Sequence, residues 1–311
     1  MKQIIPENLK AGDTIGIVAT ARWIDPEILQ PALEVIQGWG FRVKCGNYLH
    51  KRIFQLAGSD DERARDLQSM LDDPDIGAVV VARGGYGTVR IIDKIDFSKF
   101  VRHPKWVCGY SDVTVLHAAI NSLGIATLHS TMPVSFADNP PHVLGSLRLS
   151  LMGEPPSIQF EPDWSLNLPA ATSTITGRLV GGNLSVLCSL LGSSTTKVTP
   201  DEILFLEDID EHLYHIDRML IALKRSGRFD SLKAILVGGM TGMKDNSREF
   251  GFSSDNPWGK TIREMFAGAI ENSNIPVISG LPAGHQPDNR TLRMGAGATI
   301  SIRDKGIELS F

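Results

Sequence analysis

A serine, a glycine-rich run and an acid–imidazole pair are the residues of this chain whose types and settings can do covalent chemistry. Ser111 stands within Trp106–Thr114, WVCGYSDVT, where an apolar run ends, Gly109 permits a tight turn and a helical pattern begins. A serine so placed is exposed at a helix amino terminus, where neighbouring backbone N–H groups can stabilise an oxyanion. Capping of that helix by Ser111 or Asp112 is the plainer use of the same residues. The G-x-S-x-G nucleophile elbow is not matched, because Val113 stands where the second glycine belongs. Upstream, ARGGYG at Ala82–Gly87 follows the most apolar run in the chain. Its glycines allow backbone N–H groups to approach a substrate, but their spacing fits neither a dinucleotide fingerprint nor a phosphate loop with its lysine. Further on, Glu207 ends the apolar run Ile203–Leu206, and His285 sits in the Gly/Pro loop PAGHQP. An acid and an imidazole at strand ends can form an orienter–base pair; singly, each also reads as an ordinary surface acid and a loop histidine.

Other reactive side chains have simpler uses. His212 and His215 are spaced to chelate a metal, but no third ligand stands at a recognisable spacing, so they read as a solvated helix face. Arg218, Lys224, Arg225 and Arg228 lie on and just beyond the same helix, where its dipole favours cations. His117, His129 and Cys108 lie in apolar context and read as packed, as do Trp164 and Trp258. Cys45, Cys108 and Cys188 show no CxxC spacing and read as reduced thiols, with no disulfide framework and no zinc knuckle.

The elements that must position these residues follow from periodicity. Strands are expected at Thr14–Ala19, Phe41–Cys45, Ile76–Ala82, Trp106–Cys108 and Ala126–Leu128. Helices are expected at Pro26–Gln37, from the capping box Ser59-x-x-Glu62 to about Leu71, and from about Val113 to Ser122. This alternation predicts an α/β fold, a parallel sheet with helices on both faces, and ligands then bind at the carboxyl ends of its strands. Prolines gather between Phe136 and Thr176, predicting a linker over 136–176 with one short helix at Leu144–Leu151. The domains are therefore 1–135 and 177–311, the second a smaller α+β unit. In it strands are expected at Ile203–Leu206, Ala234–Val237 and Ile275–Ser279, helices at Glu211–Ser226 and Trp258–Ile270, and short strands to Phe311. Two domains suit 311 residues at about 100–200 residues each. With 42% hydrophobic and 21% charged residues and a net charge of −4, the composition is that of a folded globular chain with no basic excess for nucleic acid or anionic membranes. No run of about 18 apolar residues occurs, and the amino terminus has no signal-peptide core, so a cytoplasmic location is expected.

Five motifs together carry a family resemblance. ARGGYG, GYSDVT, LVGGNLSVL at Leu179–Leu187, FLEDIDEHLYHIDRML at Phe205–Leu220 and GLPAGHQPDN at Gly280–Asn289 resemble, in that order, the LD-carboxypeptidases, and the likeness covers nearly the whole chain. These serine peptidases include murein tetrapeptide carboxypeptidases and microcin-immunity hydrolases. The resemblance implies a Ser–Glu–His triad of Ser111, Glu207 and His285 in a cleft between the domains, with the backbone N–H groups of Gly85 and Asp112 as oxyanion donors and with neither metal nor cofactor. It implies release of the terminal D-alanine from a murein tetrapeptide during cell-wall recycling, in a cytoplasmic homodimer. Candidate substrate contacts are Arg83, Gly84, Tyr86, Asn183 and Arg290, one of the two arginines pairing with a substrate carboxylate. The alternatives are a microcin-immunity-type hydrolase of acyl-adenylate-like amides, in which Trp164 or Trp258 would stack on a base, and a non-catalytic module that binds a small ligand.

Overall fold

The structure, a computed structural model, describes residues 3–196, 199–304 and 306–311. Its elements are β1 (Thr14–Val18), α1 (Pro26–Gly38), β2 (Arg42–Cys45), α2 (Asp60–Asp72), β3 (Ile76–Val81), α3 (Ser98–Arg102), β4 (Trp106–Gly109), α4 (Thr114–Ser122), β5 (Thr127–His129) and α5 (Pro141–Leu151). There follow β6 (Ser157–Phe160), β7 (Ser165–Leu166), β8 (Thr174–Asn183), α6 (Leu184–Ser189), β9 (Glu202–Ile209), α7 (Leu213–Arg225), β10 (Leu232–Thr241), α8 (Ile262–Ala269) and β11 (Val277–Ile278). The last three are β12 (Leu292–Met294), β13 (Gly297–Arg303) and β14 (Gly306–Ser310). The chain divides into two units. The first is Met1–Pro156 with Pro287–Ala296 and Phe311; the second is Ser157–Gln286 with Gly297–Ser310.

The first unit holds a six-stranded sheet in the order β12-β5-β4-β3-β1-β2. All neighbours are parallel except β12, which runs antiparallel to β5. Successive side chains of one strand feed opposite cores, as the period of two requires. Ile17 and Val80 join Leu29, Ala32 and Ile36 of α1 on one face. Val18, Val79 and Val81 join Leu67 and Met70 of α2 and Leu116 and Ile120 of α4 on the other. Helices therefore cover both faces, which is why β3, IGAVVV, is apolar without alternation. The expected capping box opens α2: the Ser59 hydroxyl accepts from the Glu62 N–H at 3.2 Å, and the Glu62 carboxylate accepts from the Ser59 N–H at 3.0 Å.

The second unit holds an eight-stranded mixed sheet in the order β6-β14-β13-β8-β9-β10-β11-β7. Strands β8 to β11 are parallel neighbours, flanked by antiparallel pairings on both sides. Leu204, Leu206, Ile235 and Val237 pack against Ile216, Leu220 and Leu223 of α7 and Met265 and Phe266 of α8.

Three differences from expectation have physical causes. Helix α8 starts at Ile262 and not Trp258, because Thr261 and Glu264 form a second capping box there. The stretch 136–176 is not left over as a linker: α5 belongs to the first unit, and β6 and β7 are edge strands of the second. Finally, β12 was expected within the carboxy-terminal domain. Its Leu292 and Met294 are buried in the first unit, where Arg293 pairs with Leu128 on the edge of β5.

Candidate active site

Ser111 leads a 3₁₀ turn, Ser111–Val113, set between β4 and α4. Its φ is +63°, in the left-handed region that costs a non-glycine residue about 1–3 kcal/mol. Neither this turn nor α4 is capped by a side chain, so capping by Ser111 or Asp112 is not their use here. The glycine loop after β3 lies against the serine. A Cβ added at Gly84 would stand 3.2 Å from Ser111 Cβ and 3.4 Å from its Oγ, so the loop passes within side-chain contact of the serine.

Buried polar groups hold both turns in place. The Asp112 carboxylate accepts from the Thr88 N–H at 2.9 Å, tying the end of the glycine loop to the serine turn. Arg63, fully buried, donates to the carbonyls of Thr20 (2.6 Å) and Gly87 (2.9 Å) and pairs with Asp60. His117 bridges the Gly109 carbonyl (2.9 Å) and the Thr127 hydroxyl (2.8 Å), and burial pushes its pKa down to about 4. It is therefore a neutral strut beneath the serine turn.

In the second unit Glu207, on β9, is wholly buried. One of its oxygens, Oε2, accepts from both the backbone N–H (3.0 Å) and Nδ1 (2.7 Å) of His285. A carboxylate only accepts, so Nδ1 carries the proton and Nε2 is the basic atom of the neutral ring. Burial alone would pull the His285 pKa down; the hydrogen bond and charge of Glu207 outweigh it and hold the value above that of an ordinary imidazole. Beside it, burial pushes Asp208 up to about 6 despite bonds from the Ile209 N–H and the Asn183 amide, with the Glu207 charge acting in the same direction. Gly284 has φ +98°, and a Cβ there would lie 2.6 Å from Glu207 Cβ and Cγ, so the loop meets the acid only as glycine.

The remaining candidates separate. Arg290 is committed to Asp288 through Nε (3.0 Å) and Nη2 (2.9 Å), and His142 joins the same carboxylate, whereas Arg83 donates to the Trp23 carbonyl at 3.3 Å. Asn183 is buried and caps α6, accepting from the Val186 N–H and donating to Asp208. Tyr86 is half-exposed with its phenol beside Arg90. His212 and His215 are half-buried, not solvated: His215 pairs with Glu211 at 2.7 Å and His212 meets Phe252 edge-on. Arg228 does not serve a helix end; with Arg178 it pairs with the buried Glu202. Trp164 and Trp258 pack on the second unit's core, and His117 and His129 are buried in the first. Burial raises all three thiols, Cys188 to about 12, leaving them unreactive. Nothing in the sequence marks Arg63 or Arg22. A lone arginine inside a helical or loop pattern carries no local mark of what it will touch.

Comparison with known proteins gives the family. Residues 15–130 match the model of the LD-carboxypeptidase N-terminal domain, and residues 176–300 that of the LD-carboxypeptidase C-terminal domain. A probable murein peptide carboxypeptidase of Bacillus subtilis is 35% identical over 96% of this chain and 92% of its own length. The microcin C7 self-immunity protein of Escherichia coli is 25% identical over 97% of this chain and 94% of its own. The crystal structure of muramoyltetrapeptide carboxypeptidase from Oxalobacter formigenes superposes with a TM-score of 0.83 at 29% identity, covering 96% of this chain and 98% of that one. Among the described residues no helix is long and apolar enough to cross a membrane.

Proposed function

Since this chain belongs to the LD-carboxypeptidase family, we propose that it is a serine peptidase releasing the terminal D-alanine of murein tetrapeptides, with Ser111, Glu207 and His285 as its triad. The observation that carries the reading is the buried Glu207–His285 pair, which fixes Nδ1 as donor and leaves Nε2 as base. Nε2 takes the Ser111 proton as Oγ attacks the carbonyl, and Glu207 stabilises the imidazolium that forms. The backbone N–H groups of Gly85 and Asp112 are the proposed oxyanion donors, a role supported by their place on the two turns that meet at Ser111. His285 then returns the proton to the departing D-alanine amine, and water repeats the cycle on the acyl-enzyme. The murein peptide is favoured by the name of the B. subtilis relative and by that of the O. formigenes structure. Location in the cytoplasm and a homodimeric state belong to the same reading and rest on the family resemblance.

The experiment is turnover of free tetrapeptide, with released D-alanine measured by mass spectrometry. Ser111→Ala is expected to lower kcat/KM by about ten-thousandfold or more while the melting temperature holds. Equal rates in the two proteins would leave a ligand-binding module as the better account. Faster hydrolysis of an acyl-adenylate-like amide than of the peptide would favour the microcin-immunity activity.

A further inference from the structure

We propose that Arg22 and Arg83 together bind the free C-terminal carboxylate of the peptide, on the glycine loop beside Ser111; the assignment of the ligand rests on the peptidase reading above. The stem of Arg22 lies on Gly85, where an added Cβ would stand 2.6 Å from Arg22 Cδ and 2.8 Å from its Nε. One residue back, Gly84 lies against Ser111 in the same way. Arg22, the two glycines and the serine thus form one continuous row within the first unit.

Among the described residues neither guanidinium has a counter-charge. Arg22 Nε is buried with no hydrogen-bond partner, and among the described residues no carboxylate pairs with Arg22 or Arg83. Arg83 spends one donor on the Trp23 carbonyl. The two cations are also close to each other: after burial, the charge of Arg22 is what lowers the Arg83 pKa. Other arginines of this unit that approach an acid are paired, Arg63 and Arg90 with Asp60 and Arg290 with Asp288. Two half-buried like charges without an acid cost free energy in the empty protein, and an anionic ligand removes that cost. Two planar forks suit the paired oxygens of a carboxylate. The scale also fits, since a carboxypeptidase substrate carries its carboxylate about one residue, roughly 3.8 Å of chain, beyond the bond attacked. A nucleotide monophosphate offers related anionic oxygens, so the test includes one.

Binding is measured by calorimetry on the full-length Ser111→Ala protein, with the tetrapeptide acid, its C-terminal amide and adenosine monophosphate as ligands. The acid is expected to bind about 100-fold more tightly than the amide. Adding Arg22→Gln or Arg83→Gln should bring the acid down to the affinity of the amide and leave the amide unchanged, with Arg22→Lys recovering part of the loss. Thermal melting of each variant separates this from misfolding, and a misfolded Arg22→Gln is replaced by Arg22→Lys, whose acid affinity must then lie between those of the acid and amide on the parent. The proposal is overturned if acid and amide bind alike, if neither binds, if the substitutions weaken both equally, or if only the nucleotide depends on the arginines. A preserved acid preference in a chain whose unsubstituted form releases no D-alanine would remove the hydrolytic reading and leave the carboxylate site standing.

Discussion

Glu207 has no exposed surface, and its Oε2 accepts from both the backbone N–H and Nδ1 of His285, so the acid holds the imidazole through two bonds. The folded His285 pKa stands above the ordinary value of about 6.5, which makes two opposite demands on pH. Its contribution to stability is complete below pH about 6.5 and is lost as pH rises through the raised folded value. The proposed mechanism needs the neutral ring, so kcat/KM should fall as pH drops through that same value, giving an acid limb above pH about 6.5. Glu207→Gln removes the charge that raises the pKa and leaves the burial that lowers it. Its acid limb should therefore move to lower pH while kcat at the plateau falls by roughly 10²–10⁴. A pH–rate profile of the variant with an unmoved acid limb would show that Glu207 does not set the protonation of the base. Ser111 and His285 were both legible as residues, one by its place after a strand and the other by its Gly/Pro loop. The φ of +63° at Ser111 was not, because the surrounding turn imposes it and no neighbouring residue type announces it.

At the scale of elements, the site depends on loops that pass too close to their neighbours for a side chain. Gly284→Ala would place a methyl 2.6 Å from the Glu207 side chain at a φ of +98°. The loop must then lift away from β9, and the variant should lose about 2–4 kcal/mol of stability. Its kcat should also fall at least tenfold, because the lift lengthens the Glu207–His285 bond; unchanged kcat beside a lowered melting temperature would uncouple the loop from the pair. Elements were legible where local chemistry and burial agree. β3 is a continuous β-branched run because helices cover both its faces, and α2 is announced by its capping box. β8 is not legible, for the opposite reason. TITGRLVGGN mixes polar and glycine residues without alternation, and it is a strand because β9 and β13 pair with it on either side.

Across the whole molecule the two units are each built from separated stretches of chain, which periodicity along the sequence cannot reveal. A proline-rich interval looks like the boundary because prolines interrupt pattern, yet the chain changes unit at Pro156/Ser157, Gln286/Pro287, Ala296/Gly297 and Ser310/Phe311. The consequences fall unequally on the two units. The first unit receives β12 only as an edge strand beside β5, together with the bond from Asn121 to the Met294 carbonyl. The second unit receives β13 and β14 in the interior of its sheet, between β8 and β6. A chain ending at Gln286 would leave β6 with no strand to pair with and open the edge of β8. The buried side chains of Ala298, Ile300, Ile302, Ile307 and Leu309 would be missing as well. Five such residues at about 1–3 kcal/mol each amount to as much as the whole stability of about 5–15 kcal/mol that a domain commonly has, and the lost strand hydrogen bonds add to that. The truncated chain should therefore show no cooperative melting of the second unit by circular dichroism and should be cut by protease within residues 157–286, while the first unit keeps a transition at lowered temperature. Adding a peptide of residues 287–311 should restore protection, and a truncated chain that resists protease without it would show that the second unit's sheet is complete without its last two strands.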